Sequence, residues 1–139
     1  MQPIPYLFFD GNCREAMETY GRIFGGSPDI MPFAAMPEED QAQMPGVPDN
    51  AVMHASLKIG DGMVYASDDT MPDRTAMTGS YVTLELDGAD ETRRVWDALA
   101  EGGEVEMDLT PQFWTPLFGT VRDRFGTRWM LMQQSDFQG

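Results

Sequence analysis

The stretch YLFFDGNCREAMETYGRIFGG, residues 6–26, predicts the fold because a similar pattern recurs later in the chain. Its pairs Asp10-Gly11 and Gly25-Gly26 recur at the same spacing as Asp87-Gly88 and Gly102-Gly103. A short apolar, aromatic run precedes each Asp-Gly pair, and a helix-like pattern separates that pair from the Gly-Gly pair. The sequence therefore predicts one supersecondary unit that occurs twice, and the two copies are expected to build one cup-shaped sheet.

The first unit begins with a predicted strand over residues 3–9 and continues with a predicted helix that ends near Phe24. Asn12 followed by Glu15 predicts the helix start, because side chains of these types can satisfy free backbone N–H groups there. Gly25-Gly26 predicts the helix end, since glycine enters the left-handed conformation without a Cβ clash.

The remaining elements follow from periodicity and turn residues. The segment 36–50 contains three prolines and several acids, so it is predicted to be a mobile loop. The other elements are a strand near 28–34, hairpin strands at 51–59 and 63–68, a strand at 80–86, a helix at 89–101, a strand near 104–109, and hairpin strands at 117–123 and 127–133.

Two helices and eight strands, without long parallel runs, predict an α+β domain with its helices on the outer face of a mixed, mostly antiparallel sheet. We expect one domain over residues 1–139, with module one at 1–68, a linker at 69–79 and module two at 80–135. The free inner face would leave a concavity in which a small molecule could bind.

Composition limits the partners and the compartment. The 139 residues include 9 Lys and Arg against 23 Asp and Glu, and a net charge of −14 repels nucleic acid and anionic membranes. No apolar run approaches the roughly 18 residues of a membrane span. Cys13 is the only cysteine, so no intrachain disulfide can form, and we expect a cytoplasmic protein.

At this point the chain resembles the vicinal-oxygen-chelate superfamily, which includes glyoxalase I, bleomycin resistance proteins and extradiol dioxygenases, and within it the PhnB-like group. The resemblance covers nearly the whole chain and implies paired βαβββ modules and a homodimer. It does not fix a reaction, because one fold serves many functions. The residues that support it include 5–7, 10–17 with Tyr20, 53–55, 67–68, 102–103, 113–114 and 118–129.

Some PhnB-like proteins are labelled demethylubiquinone methyltransferases. A methyltransferase of the nucleotide-binding fold needs a glycine-rich turn between a parallel strand and a helix. Gly25-Gly26 and Gly102-Gly103 instead follow the predicted helices. The sequence therefore argues against methyl transfer.

The resemblance also implies four metal-ligand positions, which correspond to Pro5, Tyr65, Tyr81 and Met130. None is a good ligand for a hard divalent ion, because proline offers only its carbonyl, methionine is soft and tyrosine is protonated near neutral pH. His54 and Glu85 could form a remnant pair, but two ligands bind metal weakly. We expect no metal and no cofactor.

Two residues are candidates for catalysis. His54 is the only histidine and could act as a general base, although a hydrogen-bonded structural histidine is the alternative. Cys13 stands at a helix start, where a thiolate is favoured, but no base follows nearby. We expect Cys13 to be a residue of the capping turn.

The aromatic residues favour binding of a flat or cationic ligand by stacking. Phe113-Trp114 could form a lid, and for Trp129 core packing competes with ligand contact. The sequence thus predicts a small-molecule-binding protein that needs no metal. One alternative is a bleomycin-resistance-like protein that sequesters a cationic antibiotic, and the other is a glyoxalase- or dioxygenase-like metalloenzyme. The predicted ligand contacts are Tyr6, His54, Tyr65, Tyr81, Glu85, Trp114 and Trp129.

Overall fold

A computed structural model describes residues 1–71 and 75–134 of the chain. It contains two compact units, Met1–Ala76 (unit 1) and Met77–Gly139 (unit 2), which divide within the predicted linker 69–79. Residues 72–74 of that linker, and residue 135 at the predicted end of module two, lie outside the described residues.

Unit 1 has a four-stranded sheet, sheet 1, in the order β1-β4-β3-β2. β1 runs parallel to β4, and the other neighbours are antiparallel. The predicted strands and helix of this unit are present, but β1 begins at Tyr6 and not at residue 3, because Pro3 and Pro5 have no backbone N–H to donate. The elements are β1 Tyr6–Phe9, α1 Cys13–Phe24, β2 Asp29–Pro32, a 3-10 turn Phe33–Ala35, α2 Glu38–Gln41, β3 Val52–Ile59 and β4 Gly62–Asp68.

Unit 2 repeats this arrangement in sheet 2, whose strand order is β5-β8-β7-β6. β5 runs parallel to β8, and β7 is antiparallel to both of its neighbours. The predicted duplication and the α+β class are therefore confirmed. The elements are β5 Val82–Leu86, α3 Ala89–Ala100, β6 Glu104–Gln112, β7 Thr115–Arg122 and β8 Arg128–Gln133.

Two further predictions differ from the structure. The loop at 36–50 contains the short helix α2, whose first turn holds Glu38, Glu39 and Asp40 directly after Pro37. Acidic side chains favour a helix N-terminus because they face its partial positive charge. The strand expected near 104–109 extends to Gln112, since its pairing with β7 continues to that residue through several register shifts.

α1 packs against sheet 1 through the apolar stripe expected from its periodicity. Ala16 and Met17 are fully buried, and Tyr20 is 1% exposed with its ring centroid 6.5 Å from that of Phe9. On the sheet side, Leu57 is also buried. Full burial of a large apolar side chain stabilises a fold by about 1.5–3 kcal/mol, so this stripe holds helix and sheet together.

α3 packs against sheet 2 in the same way, through buried Val95, Trp96 and Leu99. Gly119 of β7 lies under the indole of Trp96, and a Cβ at this position would be 2.8 Å from the ring. Only glycine admits such a close approach, which explains why a strand interior keeps a residue that weakens strands.

The start of α1 differs from the sequence-based prediction. Asn12 occupies the cap position, but its side chain makes no capping hydrogen bond and its Oδ1 is buried without a partner. The backbone N–H of Cys13 instead donates to Oδ1 of Asp68 at 3.0 Å, and the N–H of Val52 donates to Oδ2 at 2.9 Å. The buried carboxylate of Asp68 thus ties α1 to both β3 and β4.

The predicted end of α1 is confirmed. Gly25 has φ +82 in the left-handed region, and its N–H donates to the carbonyl of Gly21 at 2.9 Å. In the described ranges, no helix is sufficiently long and apolar to traverse a lipid bilayer.

Candidate functional site

Sheet 1 has a face that points away from α1, called here the open face of sheet 1. Alternation along β1 sorts its side chains, because successive residues of a strand point to opposite faces. Leu7 and Phe9 are buried toward α1, whereas Tyr6 and Phe8 are 42% and 49% exposed. Register places Tyr65 of β4 directly beside Tyr6, so the two side chains share this face.

Four rings form a contact cluster on the open face of sheet 1, called here the ring cluster: Tyr6, Phe8, His54 and Tyr65. The centroid of the Tyr6 ring lies 5.0 Å from that of Phe8, 5.8 Å from that of His54 and 6.4 Å from that of Tyr65. The rings of His54 and Tyr65 are 5.0 Å apart and meet edge to face. Such separations are typical of attractive aromatic pairs.

One hydrogen bond lies within the ring cluster. The hydroxyl oxygen of Tyr6 is 3.3 Å from Nδ1 of His54. Strand pairing produces this contact between residues 48 positions apart, because β4 lies between β1 and β3 in the sheet. Three residues predicted from sequence as ligand contacts, Tyr6, His54 and Tyr65, are therefore neighbours.

Phe8 is not among the ligand contacts predicted from the sequence, although it lies within the strand predicted over residues 3–9. The available signal was the alternation itself, because Phe8 stands two residues after Tyr6 and must share its face. Its half-exposed ring extends the aromatic surface along β1.

Sheet 2 also has a face that points away from α3, and Tyr81 and Glu85 lie on that side. The guanidinium of Arg128 stacks on the Tyr81 ring at 4.0 Å, and it donates hydrogen bonds to the Tyr81 hydroxyl and to both carboxylate oxygens of Glu106. The hydrogen bond from Arg128 lowers the pKa of Glu106 below its usual value. Glu85 is exposed and stands opposite Met132 of β8.

Trp114 contacts Phe118, with ring centroids 5.0 Å apart. The connection predicted between the strands near 104–109 and at 117–123 is too long, because β6 ends at Gln112 and β7 begins at Thr115. Only Phe113 and Trp114 connect the two strands, and Phe113 is 90% exposed. A lid formed by this short turn stays a prediction.

Trp129 differs most from its predicted role as a ligand contact. It is fully buried on the α3 side of sheet 2, and its Nε1–H donates to Oδ2 of Asp123 at 2.8 Å. Its register partner in β7 is Val121, which is also fully buried. The structure therefore places Trp129 in the core of unit 2 and not on an accessible face.

Cys13 is buried at the start of α1. Burial, together with the negative charge of Asp68, raises the pKa of the Cys13 thiol to about 12, and the nearby Arg14 only partly opposes this. Because the thiolate is the nucleophilic form, this environment suits a structural cysteine. The predicted role of Cys13 in the capping turn agrees with this placement.

The residues at the four metal-ligand positions do not fit a divalent ion. The carbonyl of Pro5 already accepts a hydrogen bond from the N–H of Tyr65 at 3.0 Å. The Tyr81 hydroxyl faces the cationic Arg128, and Met130 offers only a thioether. Over residues 1–71 and 75–134, no group of three or more His, Cys, Asp or Glu side chains could hold a metal ion.

A cavity of about 310 Å³ lies at another place in unit 1. The segment from Pro45 to Ala51 forms one side, and the turn Asp10-Gly11 and residues 68–70 form the other. This part of the predicted mobile loop therefore packs near the ends of β1 and β4.

Comparison with known proteins supports the fold seen here. Residues 2–132 match the family described as 3-demethylubiquinone-9 3-methyltransferase. Protein PA1353 from Pseudomonas aeruginosa is 38% identical, with a TM-score of 0.86 over 98% of this chain and 99% of that one. Two more distant structures show the fold alone. They are a PhnB protein from Bacillus cereus (20% identity, TM-score 0.75, covering 96% and 100%) and a glyoxalase/bleomycin resistance protein from Albidiferax ferrireducens T118 (14%, 0.56, 95% and 98%).

Proposed function

The chain belongs to the PhnB-like family described as 3-demethylubiquinone-9 3-methyltransferase, with the glyoxalase/bleomycin resistance fold, and we propose that it binds a small planar molecule without a metal ion. The ring cluster on the open face of sheet 1 is the observation that supports this proposal. Two of its four rings, those of Tyr6 and Phe8, are more than 40% exposed, so each could bury apolar area by contact with a ligand.

Aromatic side chains prefer to be covered, and exposed clusters of them with a few polar groups are typical of ligand sites. The ring cluster combines flat apolar surface with a few polar atoms, which are the hydroxyls of Tyr6 and Tyr65 and the ring nitrogens of His54. Stacking on Tyr6 or Tyr65 would hold a planar ligand, and the polar atoms would orient it.

The methyl transfer named in the family description is not part of this proposal. Both Gly-Gly pairs stand at or just after the ends of α1 and α3, where they allow the chain to turn. The turn between β1 and α1 contains a single glycine, Gly11, instead of a glycine-rich phosphate loop. No residue of the described chain is therefore assigned to S-adenosylmethionine.

A fluorescence titration with N-phenyl-1-naphthylamine, a neutral aromatic probe, tests the site. Tyr65→Leu should weaken binding by about three- to tenfold, which is the effect of losing one aromatic pair. Phe125→Leu is the matched control, because it removes a partly buried ring from the β7–β8 turn in unit 2. Binding should also survive a metal chelator.

Equal weakening in Phe125→Leu would show that the site does not lie on sheet 1, and absence of saturable binding would reject the proposal. The same titration with Trp114→Leu tests whether sheet 2 binds the probe at a place of its own. The antibiotic-sequestering and metalloenzyme alternatives gain no specific observation.

The proposal also includes a homodimer located in the cytoplasm. The dimer is an expectation from the family resemblance, and the compartment is an expectation from the single cysteine in the sequence. Sedimentation in moderate salt tests the dimer, since a sedimenting monomer would contradict it.

A further inference from the structure

The ring cluster leaves one nitrogen of His54 for a ligand. The hydroxyl of Tyr6 lies against Nδ1, so Nε2 is the second nitrogen of the ring. No hydrogen-bond partner of Nε2 occurs among the described residues, and the side chain is only half-buried. A ligand on the open face of sheet 1 would therefore meet Nε2.

The chemistry of the Tyr6 contact decides what Nε2 presents. A phenol is a good donor and a poor acceptor, because its oxygen lone pair is delocalised into the ring, whereas a bare imidazole nitrogen is a good acceptor. A Tyr6 O–H that donates to Nδ1 leaves the proton of the neutral ring on Nε2. When the imidazole is protonated, Nε2 also bears a proton. In both states, Nε2–H is a donor.

Charge narrows the class of ligand. The chain has a net charge of −14, which opposes an anion at long range. Lys58 lies on the same face of β3 but four residues further on, about 13 Å from His54 along the strand. A neutral acceptor therefore suits this site better than a carboxylate.

We propose that the ligand is a planar aromatic compound with a carbonyl oxygen, which accepts a hydrogen bond from Nε2–H of His54 while Tyr6 fixes that polarity. This inference rests on the proposed function, because it assumes that a planar molecule binds at the ring cluster. Tyr6 acts as a positioning residue, and His54 determines specificity.

The polarity can be measured without any ligand. His54 is the only histidine in the chain, so nitrogen-15 spectra of the imidazole contain one pair of ring signals. At alkaline pH, where imidazole is neutral, the Nε2–H form should predominate. In Tyr6→Phe, which keeps the ring and removes the hydroxyl, the Nδ1–H form should increase. A predominant Nδ1–H form in the unaltered protein would overturn the inference.

A pair of probes of equal shape then tests the ligand class. 2-Acetylnaphthalene has a carbonyl oxygen where 2-isopropenylnaphthalene has a methylene group. The protein should bind the ketone about three- to tenfold more tightly, which is the range for one hydrogen bond. His54→Phe should bind both probes equally, whereas His54→Gln, whose amide N–H can donate, should keep the preference.

The outcomes separate the two proposals. Equal affinity of the unaltered protein for both probes would overturn this inference and leave the proposed function standing. Failure of both probes to bind while N-phenyl-1-naphthylamine still binds would overturn only this inference, whereas failure of all three compounds to bind would overturn the two proposals together. A ketone preference that persists in His54→Phe would show that another group donates the hydrogen bond.

Discussion

The start of α1 provides a sharp stability prediction, because local sequence and tertiary structure assign its cap to different residues. Asn12 has the residue type and position of a cap, and replacement of such a residue by alanine usually costs about 1 kcal/mol. In the structure, Asp68 accepts the N–H of Cys13 instead, while the Asn12 Oδ1 is buried without a partner.

The magnitudes follow from these contacts. Asp68→Ala removes two hydrogen bonds from backbone N–H groups to a buried charged acceptor, each worth about 1.5–3 kcal/mol. The free energy of unfolding should therefore fall by about 3–6 kcal/mol, a large part of the 5–15 kcal/mol of an ordinary domain. For Asp68→Asn, the free energy of unfolding should fall by about 2–3 kcal/mol. The amide oxygen can still accept one N–H, but the amide NH₂ group would face the other N–H, which is also a donor.

Asn12→Ala should change the free energy of unfolding by at most about 1 kcal/mol and in the stabilising direction, because it removes an unsatisfied buried acceptor. Asp61→Ala, in the exposed turn between β3 and β4, is the control and should stay within about 0.5 kcal/mol.

Urea unfolding followed by far-UV circular dichroism measures all four variants. If Asn12→Ala lost about 1 kcal/mol while Asp68→Ala lost less than that, the cap of α1 would be Asn12 and not Asp68.

Three further predictions concern single side chains. Because the pKa of the Cys13 thiol is raised to about 12, a disulfide reagent should modify this thiol at about pH 8 only after unfolding, and rapid modification of the native protein would contradict the prediction. The contribution of the neutral thiol to stability is full below its usual pKa of 9.0 and is lost as the pH rises toward 12. Gly119→Ala should lower the free energy of unfolding by about 1–3 kcal/mol, because its Cβ would collide with Trp96, and a loss below about 0.5 kcal/mol in urea unfolding would argue otherwise. Arg128→Met should raise the pKa of Glu106 toward its usual 4.5, as measured by carboxyl carbon-13 NMR, and an unchanged pKa would exclude Arg128 as the cause of the lowering. In the unaltered protein, the lowered pKa stabilises the fold above pH 4.5, and this stabilisation is lost as the pH falls through the lowered pKa.

The features that local sequence was sufficient to predict are those that depend on residues close together in the chain. The glycine pairs end or follow the helices as predicted, because a left-handed turn needs a residue without Cβ. Helical periodicity predicted the apolar stripes of α1 and α3, and the repeated order of strand and helix predicted two similar units. The same local rules identified Tyr6, His54 and Tyr65 as aromatic or polar residues of strands, without showing that they meet.

Tertiary structure alone decided which of these residues become neighbours. The parallel pairing of β1 with β4 places Tyr6 beside Tyr65, and β3 then brings His54 to both. It also turns Trp129 into the core of unit 2, because register decides the face of every side chain and a shift by one residue would reverse it. Asp68 caps a helix 55 residues away for the same reason. Pairing of distant strands depends on the packing of the whole unit, which no short window of sequence contains.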